Sequence, residues 1–332
     1  MTHIGVIGTG TMGSNHIRIL TKMKNVDISI SDVNKDRCKE IGTNFNVNSF
    51  YFDHNEMLKT EKLDGVIIAV PSNFHKSVFL DCISHKTNVF VEKPIAENIP
   101  DAELMIQKSK ESKKIFTVGH VERFNPVVTK IKSLLKDLGD IYLVNTIRSG
   151  PFPKRLYGMH GGVLVDLAVH DADIIAYLIG DIKQVYAHVI KTGNQEIYAN
   201  ALFTINTKIK GSSEFSWISP KRVRKIEIYG TNGMLVGDYH NQTLNFYENS
   251  DSEIPTGSNL FEEILLKGNI SEGKIVNYPV EKNEPLKLEL QSFIENINNK
   301  TQPLVKLEEA VKALKVALSI LESAKENMPV KI

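Results

Sequence analysis

The chain of 332 residues contains few cysteines and carries almost no net charge. Cys38 and Cys82 are far apart and match no metal-binding or redox spacing. A chain with so few cysteines fits a reducing compartment, so we expect a cytoplasmic location. Lysine and arginine (40) nearly balance aspartate and glutamate (39), giving a net charge of +1. This balance favours neither a nucleic acid nor an acidic membrane surface as a partner.

Long apolar runs are also missing. No uninterrupted apolar stretch approaches the ~20 residues that a membrane helix needs. The N-terminus reaches a strand-like run within four residues, without the basic start and long apolar core of a signal peptide. We therefore expect no membrane segment. The hydrophobic content of 42% and the charged content of 24% are typical of a globular protein, and the length predicts about two domains.

The first ~120 residues alternate short apolar runs with helix-like segments, the pattern of an α/β fold. Amphipathic segments at Met12–Met23 and Asp101–Lys113 separate some of these runs. The predicted strands are His3–Ile7, Asp27–Ser31, Gly65–Val70, Asn88–Val91 and Ile115–Val118. Such alternation predicts a doubly wound parallel sheet, the Rossmann arrangement, over residues 1–120.

From about Asp140 the pattern changes to longer stretches with period-2 alternation, which predicts a mostly antiparallel sheet. These stretches are Ile141–Ile147, Gln184–Lys191, Glu196–Asn206, Lys210–Ile218, Arg224–Tyr229 and Gly233–Asp238. Predicted helices are Gly162–Ile179, Leu286–Asn298 and Leu307–Lys325, and Ser250–Gly273 is expected to be a loop with a short helix. We expect residues 121–332 to form an open-sheet α+β domain whose last helices can pack back on the first domain.

A glycine-rich turn follows the first predicted strand. Gly8, Gly10 and Gly13 match G-x-G-x-x-G, in which the glycines serve the tight turn, the approach of a pyrophosphate and helix packing. The motif opens a helix whose amide groups favour phosphate. It predicts a dinucleotide site. The residues between the glycines belong to the same predicted site: Thr9, Thr11 and Met12.

Asp32 ends the second predicted strand, 19 residues after Gly13, where a carboxylate meets the ribose hydroxyls of a dinucleotide. A carboxylate there repels a 2′-phosphate, so NAD is favoured over NADP. Arg37 can accommodate such a phosphate, which keeps NADP as the alternative. Asp32 can also serve as the N-cap of the next helix.

Two further strand ends carry candidate cofactor contacts. Val70 ends the predicted strand that begins at Gly65, and Ser72, Asn73 and His75 follow it, although Ser72 or Asn73 can equally be a helix cap. Ligands of parallel α/β sheets bind at the carboxyl ends of the strands. We expect these residues to face the cofactor.

Lys93 lies in Glu92-Lys93-Pro94, directly after an apolar run. A lysine at the end of a buried strand is unusual, and burial lowers a lysine pKa toward values useful for proton transfer. We expect Lys93 and Glu92 to face the cofactor. The alternative is a solvated lysine in a loop.

The predicted helix from Gly162 carries an acid–base pair. Asp166 and His170 are four residues apart and therefore share one helix face, which Asp173 can join. A carboxylate next to an imidazole can orient the ring and favour its charged form. Two or three such groups without a further histidine or cysteine cluster make a metal site the weaker interpretation, and none is predicted.

A polar segment, Gly119–Pro126, follows the fifth predicted strand and includes Arg123 and Asn125. These side chains suit recognition of a polar ligand. A network of salt bridges between domains explains them equally well.

Taken together, the glycine turn, Glu92-Lys93-Pro94, Gly161-Gly162 and the Asp166/His170 pair make the chain resemble the Gfo/Idh/MocA family. The resemblance implies a Rossmann domain followed by an open antiparallel sheet that serves dimer or tetramer contacts. It also implies NAD(P)-dependent oxidation of a sugar or cyclitol hydroxyl, with Lys93, Asp166 and His170 as catalytic residues. The segment from Gly119 is similar to members acting on nucleotide-linked amino sugars, the UDP-N-acetylglucosamine 3-dehydrogenases. His160 departs from the third glycine of many members.

The resemblance leads to a mechanistic hypothesis. His170 is the expected base for the hydroxyl proton, Lys93 stabilises the alkoxide, and Asp166 holds one of them in place, although the two basic roles can be exchanged. Candidates for substrate contacts are Arg123, Asn125, Lys154, Arg155 and Tyr157. Myo-inositol and a free sugar are alternative substrates. An NAD-dependent glycoside hydrolase and a non-catalytic NAD-binding regulator are the alternative functions.

Overall fold

The structure is a computed structural model that describes residues 1–153, 162–249 and 273–332. Its residues group into two compact units. The first unit contains Met1–Phe124, Leu164–Ile174 and Asn283–Ser319, and the second contains Asn125–Val163, Ile175–Lys282 and Ile320–Ile332. Two later segments of the chain thus join the N-terminal residues in the first unit.

The first unit is built on a parallel sheet. Among the described residues its strands are β1 (Thr2–Ile7), β2 (Val26–Ser31), β3 (Ser49–Tyr51), β4 (Gly65–Ile68), β5 (Asn88–Glu92) and β6 (Phe116–Gly119), in the order β3-β2-β1-β4-β5-β6. All neighbouring strands in this order pair in parallel. The order reverses between β1 and β4, and this reversal is where ligands bind in doubly wound sheets.

Helices cover both faces of this sheet. They are α1 (Thr11–Leu20), α2 (Lys35–Asn44), α3 (His54–Thr60), α4 (His75–Ser84), α5 (Ile99–Lys110), α8 (Pro285–Asn299) and the first part of α9 (Leu307–Glu326). One apolar cluster joins the sheet to α3, α4, α5 and α9. The other joins it to α1, α2 and α8, with Phe90 of β5 against Phe293 of α8. The closing helices thus supply part of the core that buries the parallel strands.

The second unit contains a larger mixed sheet. Among the described residues its strands are β7 (Ile141–Pro151), β8 (Ile182–Thr192), β9 (Gln195–Ile205), β10 (Ile209–Ser216), β11 (Ile218–Gly230), β12 (Gly233–Asp238), β13 (Thr243–Glu248), β14 (Ile275–Tyr278) and β15 (Val330–Lys331). They lie in the order β14-β13-β12-β11-β7-β10-β9-β8-β15. The β10–β7 pair is parallel and the other pairs are antiparallel.

The two faces of this sheet differ. Val144, Ala201 and Phe203 are buried on one face, whereas Ile147, Ile190 and Leu202 point to the other and are exposed. The helix α6 (Pro126–Leu134) packs on the buried face, where it lies against Gly237 of β12. Among the described residues this second face carries these exposed apolar side chains, and it is called the open face.

The predicted fold class is confirmed: a Rossmann sheet is followed by a unit with a mostly antiparallel sheet. Sequence patterns missed the strand β13 and also β3, β14 and β15, which have two to four residues each and carry too few alternating residues to stand out. The predicted helix from Gly162 is a π-helical segment, Leu164–Ala168, continued by α7 (Val169–Leu178). The predicted loop at Ser250–Gly273 lies almost wholly outside the described residues. Within the described part of the chain, no helix is long and apolar enough to cross a membrane.

Candidate active site

The glycine turn has the geometry that its sequence predicts. Gly8 has φ of +94°, and a Cβ there would lie 2.6 Å from the carbonyl oxygen of Ala69. A Cβ on Gly13 would lie 1.8 Å from the carbonyl oxygen of Gly8, so a side chain there would collide with the turn. A Cβ on Gly10 would meet no atom within 4 Å, and Gly10 caps the start of α1. An open backbone at a helix N-terminus suits a pyrophosphate, so the turn fits a dinucleotide.

Asp32 lies next to this turn in a dense set of hydrogen bonds. Its Oδ2 accepts from the Thr9 amide at 2.7 Å and from the Thr9 hydroxyl at 2.8 Å, and Arg37 contacts both carboxylate oxygens at 3.0 Å. Burial opposes ionisation, but the bonds from Arg37 and Thr9 outweigh it and lower the pKa of Asp32. The N-cap of α2 is Asn34, whose side chain accepts from the Arg37 amide, so Asp32 is not the helix cap.

The segment after β4 contains exposed and buried candidates. Ser72 and Asn73 lie in a short 3₁₀ turn, half-buried and exposed respectively, and neither side chain caps α4. His75 is buried, with one ring nitrogen 2.8 Å from the Pro94 carbonyl and the other 3.0 Å from the Val70 carbonyl. Ser72 and Asn73 can therefore reach a ligand, whereas both nitrogens of His75 already face the main chain.

Glu92 points into the protein from the end of β5. Its Oε1 lies 2.7 Å from Nε2 of His16 on α1, and its Oε2 accepts from the Lys93 amide at 3.2 Å. Burial opposes ionisation of Glu92, but the hydrogen bond from His16 lowers its pKa below the ordinary value. The buried carboxylate thus anchors the strand end that carries Lys93. The cofactor contact of Glu92 stays a prediction.

Lys93 and Asp166 are brought together in the first unit. The ammonium of Lys93 donates to the main-chain oxygen of Asp166 at 2.8 Å and to its Oδ1 at 3.0 Å. The Lys93 side chain keeps 17% of its surface exposed, and Asp166 keeps 15%, so the pair opens to solvent. An ammonium has three donors, so these two bonds leave one for a ligand oxygen. The lysine is neither deeply buried nor freely solvated.

His170 follows Asp166 by four residues at the start of α7. The residues between them, Leu167 and Ala168 among them, are buried, whereas Asp166 and His170 are half-buried. The change from π-helix to α-helix falls between the two. A π-helical turn inside an α-helix often occurs at functional sites. Asp166 and His170 thus lie about one helical turn apart, and their acid–base role stays a prediction.

Arg123 is fixed inside the first unit. Its guanidinium bonds to Asp173 of α7 at 2.6 to 3.1 Å, to the Leu304 carbonyl at 3.2 Å and to Glu309 at 3.1 Å. The side chain is 1% exposed, and a substrate diphosphate would have to displace these partners. The geometry therefore favours a salt-bridge network, here within one unit, and the predicted substrate contact of Arg123 has no support from it. Asp173, which the sequence analysis considered for the helix face of Asp166 and His170, is thus the salt-bridge partner of Arg123.

Asn125 has similar structural contacts in the second unit. Its side-chain oxygen accepts from the Val127 amide and caps α6, and its nitrogen donates to the Tyr239 carbonyl at 3.2 Å. The other predicted substrate residues, Lys154, Arg155 and Tyr157, lie outside the described residues, as does His160. Their roles stay predictions.

The sequence patterns did not indicate two buried polar or charged side chains near the site. His16 lies on the apolar face of α1 with Gly13, Ile17 and Leu20, and such a position requires a buried partner. Glu289 of α8 is buried without a hydrogen-bond partner for either carboxyl oxygen among the described residues. A polar residue within an apolar helix face was the signal for His16. Among the described residues no group of three histidine, cysteine or acidic side chains can hold a metal ion.

Two family models match the chain. The model described as "Oxidoreductase family, NAD-binding Rossmann fold" matches residues 2–120. The model described as "GFO/IDH/MocA C-terminal domain" matches residues 128–236. Together the two matched ranges include the glycine turn, Lys93, Asp166 and His170.

Individual relatives share most or nearly all of the length at low identity. A myo-inositol 2-dehydrogenase from Thermotoga maritima is 25% identical, over 99% of this chain and 98% of its own. A UDP-N-acetylglucosamine 3-dehydrogenase from Acidithiobacillus ferrooxidans is 23% identical over 76% of this chain and 78% of its own. A solved structure of the latter enzyme has a TM-score of 0.84 at 20% identity and covers 98% of this chain and 99% of its own, which shows the shared fold.

Proposed function

Because the chain belongs to the Gfo/Idh/MocA oxidoreductase family, we propose that it oxidises a ring CH–OH group of a sugar or cyclic polyol with NAD as the acceptor. The observation that carries the proposal is the contact between Lys93 and Asp166 at the carboxyl end of β5. It places a cation with one unused donor next to the strand ends at which parallel sheets bind ligands. A purely structural salt bridge has no need of that position.

The cofactor is held by the first unit. Gly8, Gly10 and Gly13 leave room for the pyrophosphate, and the Asp32 carboxylate is available to the ribose once Arg37 shares or yields its place. The bound nicotinamide supplies the acceptor for the hydride. The ionised state of Asp32 supports NAD as the cofactor, because a 2′-phosphate would meet a negative charge.

The chain's own residues handle the proton and the developing charge. The remaining N–H of Lys93 donates to the substrate oxygen, which stabilises negative charge as the hydroxyl proton leaves. His170 takes that proton, since an imidazole titrates near neutral pH. Asp166 holds the ammonium by two bonds and fixes its direction. Lys93 is the charge-stabilising group in this assignment and His170 is the base.

We also propose a specific class of substrate. We favour a nucleotide-linked amino sugar such as UDP-N-acetylglucosamine, oxidised at carbon 3, on the similarity of the Gly119–Pro126 segment to enzymes of that kind. Myo-inositol is the competing substrate, because a relative of that activity aligns over nearly the whole chain. The two differ in the diphosphate, which only the first contains.

The test is NADH formation, followed by absorbance, with UDP-N-acetylglucosamine, myo-inositol and free hexoses in parallel. Lys93→Ala should lower kcat by about 100-fold or more, the usual loss when a charge-stabilising donor is removed. It should leave NAD affinity within a few-fold, and the exposed Lys113→Ala should behave as wild type. Normal turnover in Lys93→Ala would contradict the assignment. Glycoside cleavage without net NADH would indicate the hydrolase alternative, and NAD binding without any turnover would indicate a regulator.

The open face of the large sheet supports a homodimer or homotetramer. Ile147, Ile190 and Leu202 are exposed on that face, and Leu202 exposes 54% of its surface. Exposed apolar side chains on one sheet face favour self-association. Leu202→Lys should lower the mass measured by light scattering, while the exposed Lys183→Ala leaves it unchanged. An unchanged mass in Leu202→Lys would argue against this face.

A further inference from the structure

His75 joins two strand ends of the first unit. It is the first residue of α4 and is buried, with Nδ1 2.8 Å from the Pro94 carbonyl oxygen and Nε2 3.0 Å from the Val70 carbonyl oxygen. Val70 follows β4, and Pro94 follows β5 directly after Lys93. A single ring thus spans the two turns that follow these neighbouring strands.

A main-chain carbonyl oxygen lies in front of each ring nitrogen. Burying a polar group is unfavourable unless it is hydrogen-bonded, so the imidazole is best accounted for by the carbonyls that it faces. A cofactor contact through a nitrogen would have to break one of them. The His75 ring therefore influences the site through the main-chain turns that it contacts.

The protonation state of His75 determines which contact is a hydrogen bond. Burial lowers the pKa of His75, and the carbonyls of Val70 and Pro94, followed by the carboxylate of Glu92, oppose this without reversing it. On its own helix, the neighbouring Lys76 is paired with Asp101 of α5. A neutral imidazole carries one N–H, and the shorter of the two contacts favours Nδ1 as the donor, to the Pro94 carbonyl.

Lys93 is consequently held from both sides. On its N-terminal side, Glu92 is fixed by His16 and accepts from the Lys93 amide. On its C-terminal side, the Pro94 carbonyl meets His75. We propose that His75 is a positioning residue for Lys93, which fixes the turn after β5 through an Nδ1–H bond to Pro94 and so directs the ammonium onto Asp166.

This inference rests on the proposed function, because it gives Lys93 the catalytic task that His75 supports. A displacement of about 1 Å in a catalytic group can cost about 100-fold in rate. His75→Phe keeps a ring of similar size and removes the donor. It should lower kcat by about 10- to 100-fold, with KM for NAD within a few-fold, because the glycine turn and Asp32 are untouched.

Two amide substitutions separate positioning from simple packing. The amide nitrogen of asparagine occupies the place of Nδ1, and that of glutamine occupies the place of Nε2. His75→Asn should therefore restore kcat to within a few-fold of wild type, whereas His75→Gln should stay near His75→Phe. His54→Phe, at the start of α3, is the matched control and should leave kcat unchanged. If His75→Phe fails to fold, the comparison of the Asn and Gln variants decides.

A second measurement does not depend on knowing the substrate. Nitrogen NMR of the labelled full-length protein at neutral pH should show His75 protonated at Nδ1 and not at Nε2. A proton on Nε2 alone, wild-type kcat in His75→Phe, or equal rescue by Gln and Asn would overturn the inference. If Lys93→Ala itself keeps normal turnover, the proposed function fails first, whereas loss in Lys93→Ala with no loss in His75→Phe removes only this inference.

Discussion

Nε2 of His16 lies 2.7 Å from the Glu92 carboxylate, inside the first unit and one residue before Lys93 along the chain. Both side chains are buried, and the His16 and Phe90 rings pack in a T-shaped arrangement. The end of β5 is therefore fixed by a buried polar pair as well as by its strand hydrogen bonds. A buried pair of this kind makes stability depend on pH.

Replacing Glu92 tests that dependence. Burial raises the pKa of Glu92, and the hydrogen bond with His16 more than offsets this effect. The pKa of Glu92 therefore lies below its ordinary value in the folded protein. The ionised carboxylate therefore stabilises the fold above the unfolded pKa, and this contribution is lost as pH falls through the folded pKa. Glu92→Gln should cost about 1–3 kcal/mol at pH 7 and less near pH 4, measured by urea unfolding. The exposed Glu97→Gln is the control, and an equal loss at both pH values would refute the linkage.

Asp32→Asn tests the choice of cofactor. The variant keeps the size of the side chain but loses the charge that its partners Thr9 and Arg37 favour. NAD affinity should fall by about 10-fold or more, the loss expected for charge-assisted hydrogen bonds of about 1.5–3 kcal/mol. NADP affinity should fall less or rise, because repulsion of the 2′-phosphate is removed. Calorimetric titration with both cofactors measures the ratio, and an unchanged ratio would show that Asp32 does not select between them.

Glu289 should destabilise the protein as pH rises. Burial, followed by repulsion from Glu92, Asp173 and Glu122, raises the pKa of Glu289 well above its ordinary value. Between the unfolded and folded pKa values the folded state holds a proton that the unfolded state has released. Stability therefore falls with rising pH, by about 1.4 kcal/mol per pH unit.

Glu289→Gln imitates the protonated acid and should remove this fall. Its unfolding free energy should exceed that of wild type at pH 7, and the excess should shrink toward pH 5. Glu295→Gln, exposed on the same helix, should show no such trend. A Glu289→Gln variant less stable than wild type at pH 7 would show that the carboxylate is ionised and bound in the fold.

Breaking the pair of Arg123 and Asp173 should be strongly destabilising. Both side chains are 1% exposed, so Asp173→Asn leaves a buried guanidinium without its main counter-charge. The expected loss is about 3–5 kcal/mol in urea unfolding. Glu309, whose side chain is 37% exposed, contacts the same guanidinium, and Glu309→Gln should cost about 1 kcal/mol or less. Similar losses in the two variants would contradict the structural assignment of Arg123.

Local sequence signals predicted most of the first unit. The parallel strands appear as apolar runs, and the glycine turn appears at its predicted place because only glycine fits at Gly8 and Gly13. Short edge strands such as β3 were missed, since three residues carry no measurable period. The segment Leu164–Ile174 joins the first unit, a result that no local pattern contains, and Asn283–Ser319 joins it as well, with the closing helices that were expected to be able to pack there.

The sequence by itself determined which residues have the chemistry: Lys93 at a strand end, Asp166 and His170 one turn apart, and Asp32 after the second strand. The tertiary structure decided which groups these side chains contact. Asp166 reaches Lys93 across 73 positions of the chain. His75, an expected cofactor contact, instead lies between two main-chain carbonyls. The physical reason is that periodicity specifies which face of an element is buried, whereas the partner on that face depends on where distant segments return.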